Sequence, residues 1–237
     1  MTGVDLRPAG GRAATDVGWL QSRHSFSFGH HYDPSNTHFG LLLVSNDDVV
    51  APGTGFETHP HRDMEIVTWV LDGGLVHQDS QGNNGLIHPG LAQRMSAGTG
   101  ILHSEKNDAT EPVHFVQMWV APDERGISPG YEQLDIGAEL ARGGLVPVAS
   151  GRGHDAAISI RQRDAVLYAA RLADGETVAL PDAPYVHLFV ARGAVDLEAA
   201  GRLDEGDTAR LAAADGPRVT AAAGPAEILV WEMHATL

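Results

Sequence analysis

The chain contains no cysteine. That excludes disulfide frameworks, thiolate zinc sites, iron–sulfur clusters and thiol nucleophiles, and it suits a reducing compartment. Lysine is nearly absent as well. Lys106 is the single lysine among 16 basic residues, so Schiff-base chemistry would rest on one side chain and is discounted. Positive charge is scarce overall: 31 acidic residues bring the formal net charge to −15. Such a surface repels a phosphate backbone and argues against direct contact with nucleic acid. No apolar run reaches the roughly 18 residues of a membrane span. Residues 1–10 lack the apolar stretch of a secretory signal, so a cytoplasmic location is expected. There is also no Gly-x-Ser-x-Gly elbow and no phosphate-binding glycine loop.

What is present is turn residues and short apolar runs. The 28 glycines and 13 prolines among 237 residues favour many short strands over a helical bundle. At roughly 150 residues per domain the length allows one large domain or two small ones. Residues 40–45, 65–71, 75–78 and 115–120 read as strands, closed by turn clusters at 46–48, 72–74, 79–85 and 121–123. Residues 121–150, punctuated by Pro122, Pro129, Gly130, Gly143, Gly144 and Pro147, read as a connector. Strands resume over 156–161, 165–172, 185–190, 194–198 and 227–233. Residues 138–142 and 209–214 read as short helices. Regular short strands with glycine-rich turns indicate a sandwich or barrel.

The two halves repeat each other. Residues 67–74 align with 187–194, placing Trp69 on Phe189, Val70 on Val190 and Gly73 on Gly193. Further on, Gly90 meets Gly206 and Gly100 meets Gly216 at a slightly shorter spacing. A duplicated β-barrel is expected.

Histidine does not follow this symmetry, since ten of the 13 fall in residues 1–120. His59 and His61 are two apart, so in a strand they project from one face, and Glu65 has the same parity. His103 and Glu105 form a second such pair. Two neighbouring strands could present three imidazoles and a carboxylate, from Glu65 or Glu105, to one point. That donor set suits iron, copper, nickel, manganese or zinc, and it leaves coordination positions open for chemistry. Pro60 lacks a ladder donor, which places it at an edge or bulge. In the repeat, His59, His61, Glu65, His103 and Glu105 fall on Ala179, Pro181, Tyr185, Val219 and Ala221. The ligands vanish while the flanking glycines persist, so one metal site in the first barrel is expected. His30 and His31 read as surface or structural residues. His77, His88 and His114 lie near strand ends without paired spacing. Phe56, Met64, Met95 and Met118 read as core before pocket.

The span from Gly53 through His59, His61 and Glu65 matches the first cupin motif, with its closing Gly73 one position late. Residues 24–28 (His-Ser-Phe-Ser-Phe), 32–34 (Tyr-Asp-Pro), 59–65 (His-Pro-His-Arg-Asp-Met-Glu), 96–105 (Ser-Ala-Gly-Thr-Gly-Ile-Leu-His-Ser-Glu) and 126–133 (Gly-Ile-Ser-Pro-Gly-Tyr-Glu-Gln) together strongly resemble the pirin family. The resemblance runs nearly end to end and is nearest to bacterial members with quercetin 2,3-dioxygenase activity. It implies an all-β bicupin: a metal-binding jelly-roll-like barrel with its connector over residues 1–135, and a metal-free one over 150–237. It implies one divalent metal, most often Fe(II), with Ni, Mn, Cu, Zn and Co as alternatives. The family's ligands match His59, His61, His103 and Glu105. Glu65 falls outside that set and becomes a candidate for orienting a ligand imidazole. The implied activity is ring opening of a flavonol such as quercetin by O2, with a carboxylate, Glu105 once loosened from the metal or Glu65 nearby, as proton acceptor. The implied partners are a small phenolic substrate and O2, with no nucleic acid and no membrane, and the chain is expected to be monomeric. A rival reading is a non-catalytic, redox-sensing regulator that contacts another protein; a metal-dependent isomerase or hydrolase is a third. A deep pocket over the metal would favour the enzyme, and a long exposed apolar patch the regulator.

Overall fold

A computed structural model describes residues 3–155, 157–198 and 200–237. The first half runs β1 (Gly3–Arg7), β2 (Ala13–Asp16), β3 (Leu20–His24), β4 (Leu42–Val50), β5 (Thr54–His61), β6 (Glu65–Asp72), β7 (Leu75–Asp79), β8 (Asn84–Ile87), β9 (Leu91–Ser96), β10 (Ile101–Asn107), β11 (Val113–Val120) and β12 (Gly130–Asp135). A single helical turn, α1 (Gly137–Leu140), links it to the second half. There follow β13 (Val146–Ser150), β14 (Ile158–Ser159), β15 (Ala165–Leu172), β16 (Thr177–Ala179), β17 (Asp182–Arg192), β18 (Ala194–Leu197), β19 (Gly201–Asp204), β20 (Thr208–Asp215), β21 (Arg218–Ala221) and β22 (Ala226–Met233).

These strands form two jelly-roll units, each a seven-stranded sheet with a four-stranded one. The first has the orders β12-β9-β6-β11-β4-β3-β2 and β5-β10-β7-β8. The second has β1-β20-β17-β22-β15-β13-β14 and β16-β21-β18-β19. The orders correspond except at the outer edge, where β2 pairs antiparallel with β3 but β14 pairs parallel with β13, so the duplication read from a few glycines and apolar residues extends to most of the topology. One exchange breaks chain order. β1 lies at the edge of the second unit's sheet, paired with β20 from Gly3↔Ala212 to Arg7↔Thr208, where β12 lies against β9 in the first unit. The described part of residues 1–135 therefore does not sit in one barrel, because its first strand completes the other.

The two seven-stranded sheets pack face to face. Val67, Trp69 and Leu71 of β6 and Val116, Met118 and Val120 of β11 meet Leu167, Phe189, Leu229 and Trp231 in one core cluster. The intervening residues point the other way, Val70, Val113 and Phe115 joining Leu20, Val50, Leu75 and Ile87 inside the first unit. The central strands are thus buried on both faces, which is why they read as unbroken apolar runs and not as alternating ones. The indoles bind across the joint: Trp231 Nε1 donates to Met118 Sδ at 3.2 Å and Trp69 Nε1 to Glu227 Oε1 at 2.8 Å. Inside the second unit lies an apolar core cluster with Val178, Leu180, Val219 and Ala221 among its members.

Several local expectations change. Residues 209–214 lie in β20, a strand. Alanine's helical preference is a weak bias, and here backbone pairing to β1 on one side and β17 on the other overrides it. The helix expected over 138–142 is the single turn α1, ending at Leu140. Only Ile158–Ser159 of the strand expected over 156–161 is extended; Ala156 lies outside the described residues, as do Met1 and Thr2 of the expected first barrel. The turn expected at Asn46, Asp47 and Asp48 is instead the middle of β4. The side chains of Asn46 and Asp47 tolerate this because each finds a partner. Asn46 Oδ1 meets His24 Nδ1 at 2.9 Å, and Asp47 accepts from Arg12 Nη2 at 2.9 Å. Asp48, bonded to Ser22, has its carboxyl pushed up to about 7 by burial.

His187 of β17 occupies the repeat position of Val67 and is 1% exposed, beside the Phe26 ring, with Nε2 unpartnered. Burial, then Arg210 and Arg12, lower its pKa to about 3. Below the ordinary histidine value near 6.5 the unfolded chain takes up a proton that the folded chain refuses, so stability falls as pH falls through that window. His187→Leu should remove up to about 1.4 kcal/mol per pH unit of that slope between pH 6 and 4. Urea unfolding of both proteins across this range measures it, and parallel curves would assign the acid sensitivity elsewhere.

Candidate metal centre

The candidate ligands come from neighbouring strands of the first unit's four-stranded sheet. β5 is an edge strand that pairs only with β10, so the missing amide hydrogen of Pro60 costs no ladder bond. The register sets His103 opposite His59 and Ile101 opposite His61, and a bulge between His103 and Glu105 brings Glu105 opposite Phe56. Gly55, at φ +154°, lies against this bulge, where a Cβ would collide with the Glu105 carbonyl oxygen. Gly98, at φ +48°, packs as closely against Ile127 O. Two of the four glycines flanking the histidine motifs are thus required by close backbone approach.

The three imidazoles converge. Ring centroids lie 4.5 Å apart for His59 and His103, 4.9 Å for His61 and His103, and 4.9 Å for His59 and His61. One nitrogen from each lies within 4.8 Å of the others. His59 Nδ1 donates to Glu57 O at 2.6 Å, which leaves its Nε2 as the free lone pair. His61 Nε2 and both His103 nitrogens are buried without a hydrogen-bond partner. Burial and the neighbouring rings lower His103 to about 2, and burial followed by His59 lowers His61 to about 4. Convergent, neutral, unpartnered imidazoles fit a divalent first-row ion, since each needs an electrophile that the polypeptide does not provide.

Glu105 faces the same interior, 2% exposed. Gln117 Nε2 donates to its Oε2 at 2.8 Å and Thr68 Oγ1 reaches Oε1 only at 3.5 Å. Burial pushes the carboxyl up to about 7, against those two hydrogen bonds. Gln117 in turn accepts from Trp119 Nε1 at 3.1 Å. Above this group opens a cavity of about 720 Å³, walled by Trp19, Phe28, Phe56 and Trp119, with His59, His61 and Glu105 in its lining. Phe56 therefore lines the cavity, whereas Met95 and Met118 are core. Lys106, the sole lysine, pairs with Glu57, and both belong to the same lining.

Comparison with known proteins bears on this geometry. The sequence pattern described as "Pirin" matches residues 7–120, and that described as "Quercetinase C-terminal cupin domain" matches residues 147–233. A Mycobacterium tuberculosis protein named as a candidate quercetin 2,3-dioxygenase is 62% identical over 236 residues, covering 99% of this chain and 96% of its own. The chain belongs to the pirin family. The Escherichia coli K12 protein named quercetin 2,3-dioxygenase is 47% identical over 177 residues, covering 74% of this chain and 75% of its own. A crystal structure of the bacterial pirin YhhW from E. coli in complex with nickel(II) superposes with a TM-score of 0.89 at 36% identity, covering 99% of this chain and 100% of that one. That structure shares the fold over nearly the whole length of both chains.

Within this pirin fold, Glu65 departs from its expected place. A turn through Asp63, at φ +47°, separates it from β5, so parity with His61 no longer applies. Its Oε2 accepts from Ser96 Oγ at 2.8 Å and from the Arg161 amide at 3.1 Å. It joins the two halves and orients no imidazole. Conversely, β7 brings in a pair that sequence reading missed. His77 and Asp79 are again two apart, and β7 sets them opposite Glu105 and His103 on β10. His77 is fully buried, and its Nε2 meets Asp79 Oδ2 at 3.2 Å. The same i, i+2 spacing would have revealed them, but Asp79 was absorbed into a turn. His30 and His31 remain outside the site, although the His31 ring lies 5.6 Å from that of His24.

Gln117→Leu should strand the buried Glu105 Oε2 and the Trp119 indole together. A loss of about 1–3 kcal/mol is expected in denaturant unfolding of the metal-free protein; an unchanged midpoint would mean that water replaces the amide.

Proposed function

We propose that this pirin is a metal-dependent dioxygenase that opens the heteroaromatic ring of a flavonol with O2, releasing carbon monoxide. His59, His61, His103 and Glu105 hold one divalent ion, with Fe(II) the first choice and nickel next, since imidazole and carboxylate suit both. The carrying observation is the convergence of His59, His61 and His103, with His59, His61 and Glu105 lining a 720 Å³ cavity walled by aromatic rings. The E. coli relatives support it, one by its quercetin 2,3-dioxygenase name and one by its nickel(II) complex.

The bound ion would supply Lewis acidity toward a phenolic oxygen and a redox partner for O2. The remaining work falls to the chain. Phe28, Phe56 and Trp119 offer faces and edges against which a planar polyphenol can lie, and they keep water from the reacting ring. Glu105, once loosened from the ion, takes the proton from the substrate hydroxyl. Its Oε1, held only by the long Thr68 contact, is the oxygen free to receive it, while Gln117 anchors the other. A cavity of this size and lining suits a small-molecule substrate better than a protein partner. The second barrel, where buried Val219 and Ala221 stand at the positions matching His103 and Glu105, serves the fold.

Glu105→Gln keeps an oxygen donor and removes the base. Its turnover per bound metal should fall about 10²–10⁴-fold, whereas Glu65→Gln should keep both metal content and most activity. Flavonol disappearance under air, with metal content measured in parallel, reads both. Reversed effects would exchange the roles of the two carboxylates. An iron-loaded parent protein that consumes no O2 with any flavonol would overturn the dioxygenase reading.

A further inference from the structure

Three nitrogens of His77 and His103 have no partner, and a single metal ion can satisfy only one of them. His103 has two, Nδ1 and Nε2, and His77 has one, Nδ1; all are buried and unbonded. An ion held with His59 and His61 can take only one nitrogen of His103. The other is then an N–H in an apolar interior, facing a cost of about 1–3 kcal/mol if left unpaired. His77 is the complementary orphan. Its Nε2–H is committed to Asp79 at 3.2 Å, which leaves Nδ1 as a bare acceptor. The rings of His77 and His103 have centroids 5.3 Å apart, and a nitrogen of each lies within 4.8 Å of the other.

We propose that His77 and Asp79 form a relay behind the metal, in which His77 Nδ1 accepts the second ring N–H of His103 and Asp79 accepts from His77 Nε2. This rests on the metal reading above. One N–H···N bond between the two rings then satisfies two of the orphans while the ion satisfies the third.

The surroundings are built to hold the relay in place. Asp79 receives the backbone N–H groups of Gln81 and Asn83, at 2.9 and 3.1 Å, and both carboxylate oxygens receive the Asn83 amide. Its side chain is fully buried. The Tyr131 ring from β12 lies 4.8 Å from that of His77, inclined by 30°, and restrains its plane. Asp79 thereby lends negative charge to His77, and through it electron density to His103, making His103 a better donor with one defined tautomer. His77 is a positioning residue and touches no substrate.

The test uses Cu(II) as a spectroscopic probe in the full-length protein, with Ni(II) for affinity. Pulsed EPR counts coordinated imidazoles and reports the quadrupole coupling of each remote nitrogen, which responds to its hydrogen bond. The parent should show three imidazoles, one with a distinct remote nitrogen. His77→Phe should keep three imidazoles, lose that distinct signal and bind Ni(II) about 10–100-fold more weakly. His77→Gln, whose amide oxygen can still accept, should recover part of the affinity, and Asp79→Asn should fall between. Melting of the metal-free variants checks folding, and the Gln variant carries the test if the Phe variant fails to fold. An unchanged remote-nitrogen signal and affinity in both His77 variants would overturn the relay. A drop to two imidazoles would overturn it differently, making His77 a ligand. Fewer than three imidazoles in the parent would instead remove the metal reading, and the relay with it.

Discussion

Three imidazoles and a carboxylate gathered inside a β-barrel cannot satisfy one another. Burial strips them of water and holds His61 and His103 neutral, and the surrounding backbone is already committed to its sheets. The polypeptide offers His61 Nε2 and both His103 nitrogens no partner, which suits the group to receive a cation. Much of the first barrel can be read from that requirement. The edge position of β5 accommodates Pro60, the bulge in β10 turns Glu105 inward, and Gly55 lets the two backbones approach.

The second barrel shows what the same frame looks like without that requirement. Its strand order repeats the first, and Val219 and Ala221, which stand where His103 and Glu105 stand, are buried in an apolar cluster. The joint between the halves then explains the rest of the composition. Two broad sheets packed face to face need strands that are apolar on both sides, and the few polar groups admitted there, among them Glu65 and Glu227, bind across the boundary. Glu65 shows how a carboxylate of plausible parity can be diverted: its neighbours offer an amide and a hydroxyl, and a buried carboxylate is retained where it is hydrogen-bonded.

The sequence by itself determined the all-β class, the duplication, and the three histidines with Glu65 or Glu105 as the group to examine, the preference for Glu105 coming from the family resemblance. Those features rest on short-range regularities: period-two alternation, glycines at fixed offsets, and pairs two residues apart whose side chains share a strand face. What lay beyond it depended on partners remote in the chain. The run Asn46-Asp47-Asp48 looks like a turn until Arg12, His24 and His114 are brought alongside it. The alanines of β20 look helical until β1, some two hundred residues away, pairs with them. His77 looks isolated until β7 lies beside β10 and faces it toward His103. Only the tertiary structure decided these points, because the energy of a buried polar group or an unpaired strand edge is settled by whichever group arrives to meet it, and local sequence does not carry that group's identity.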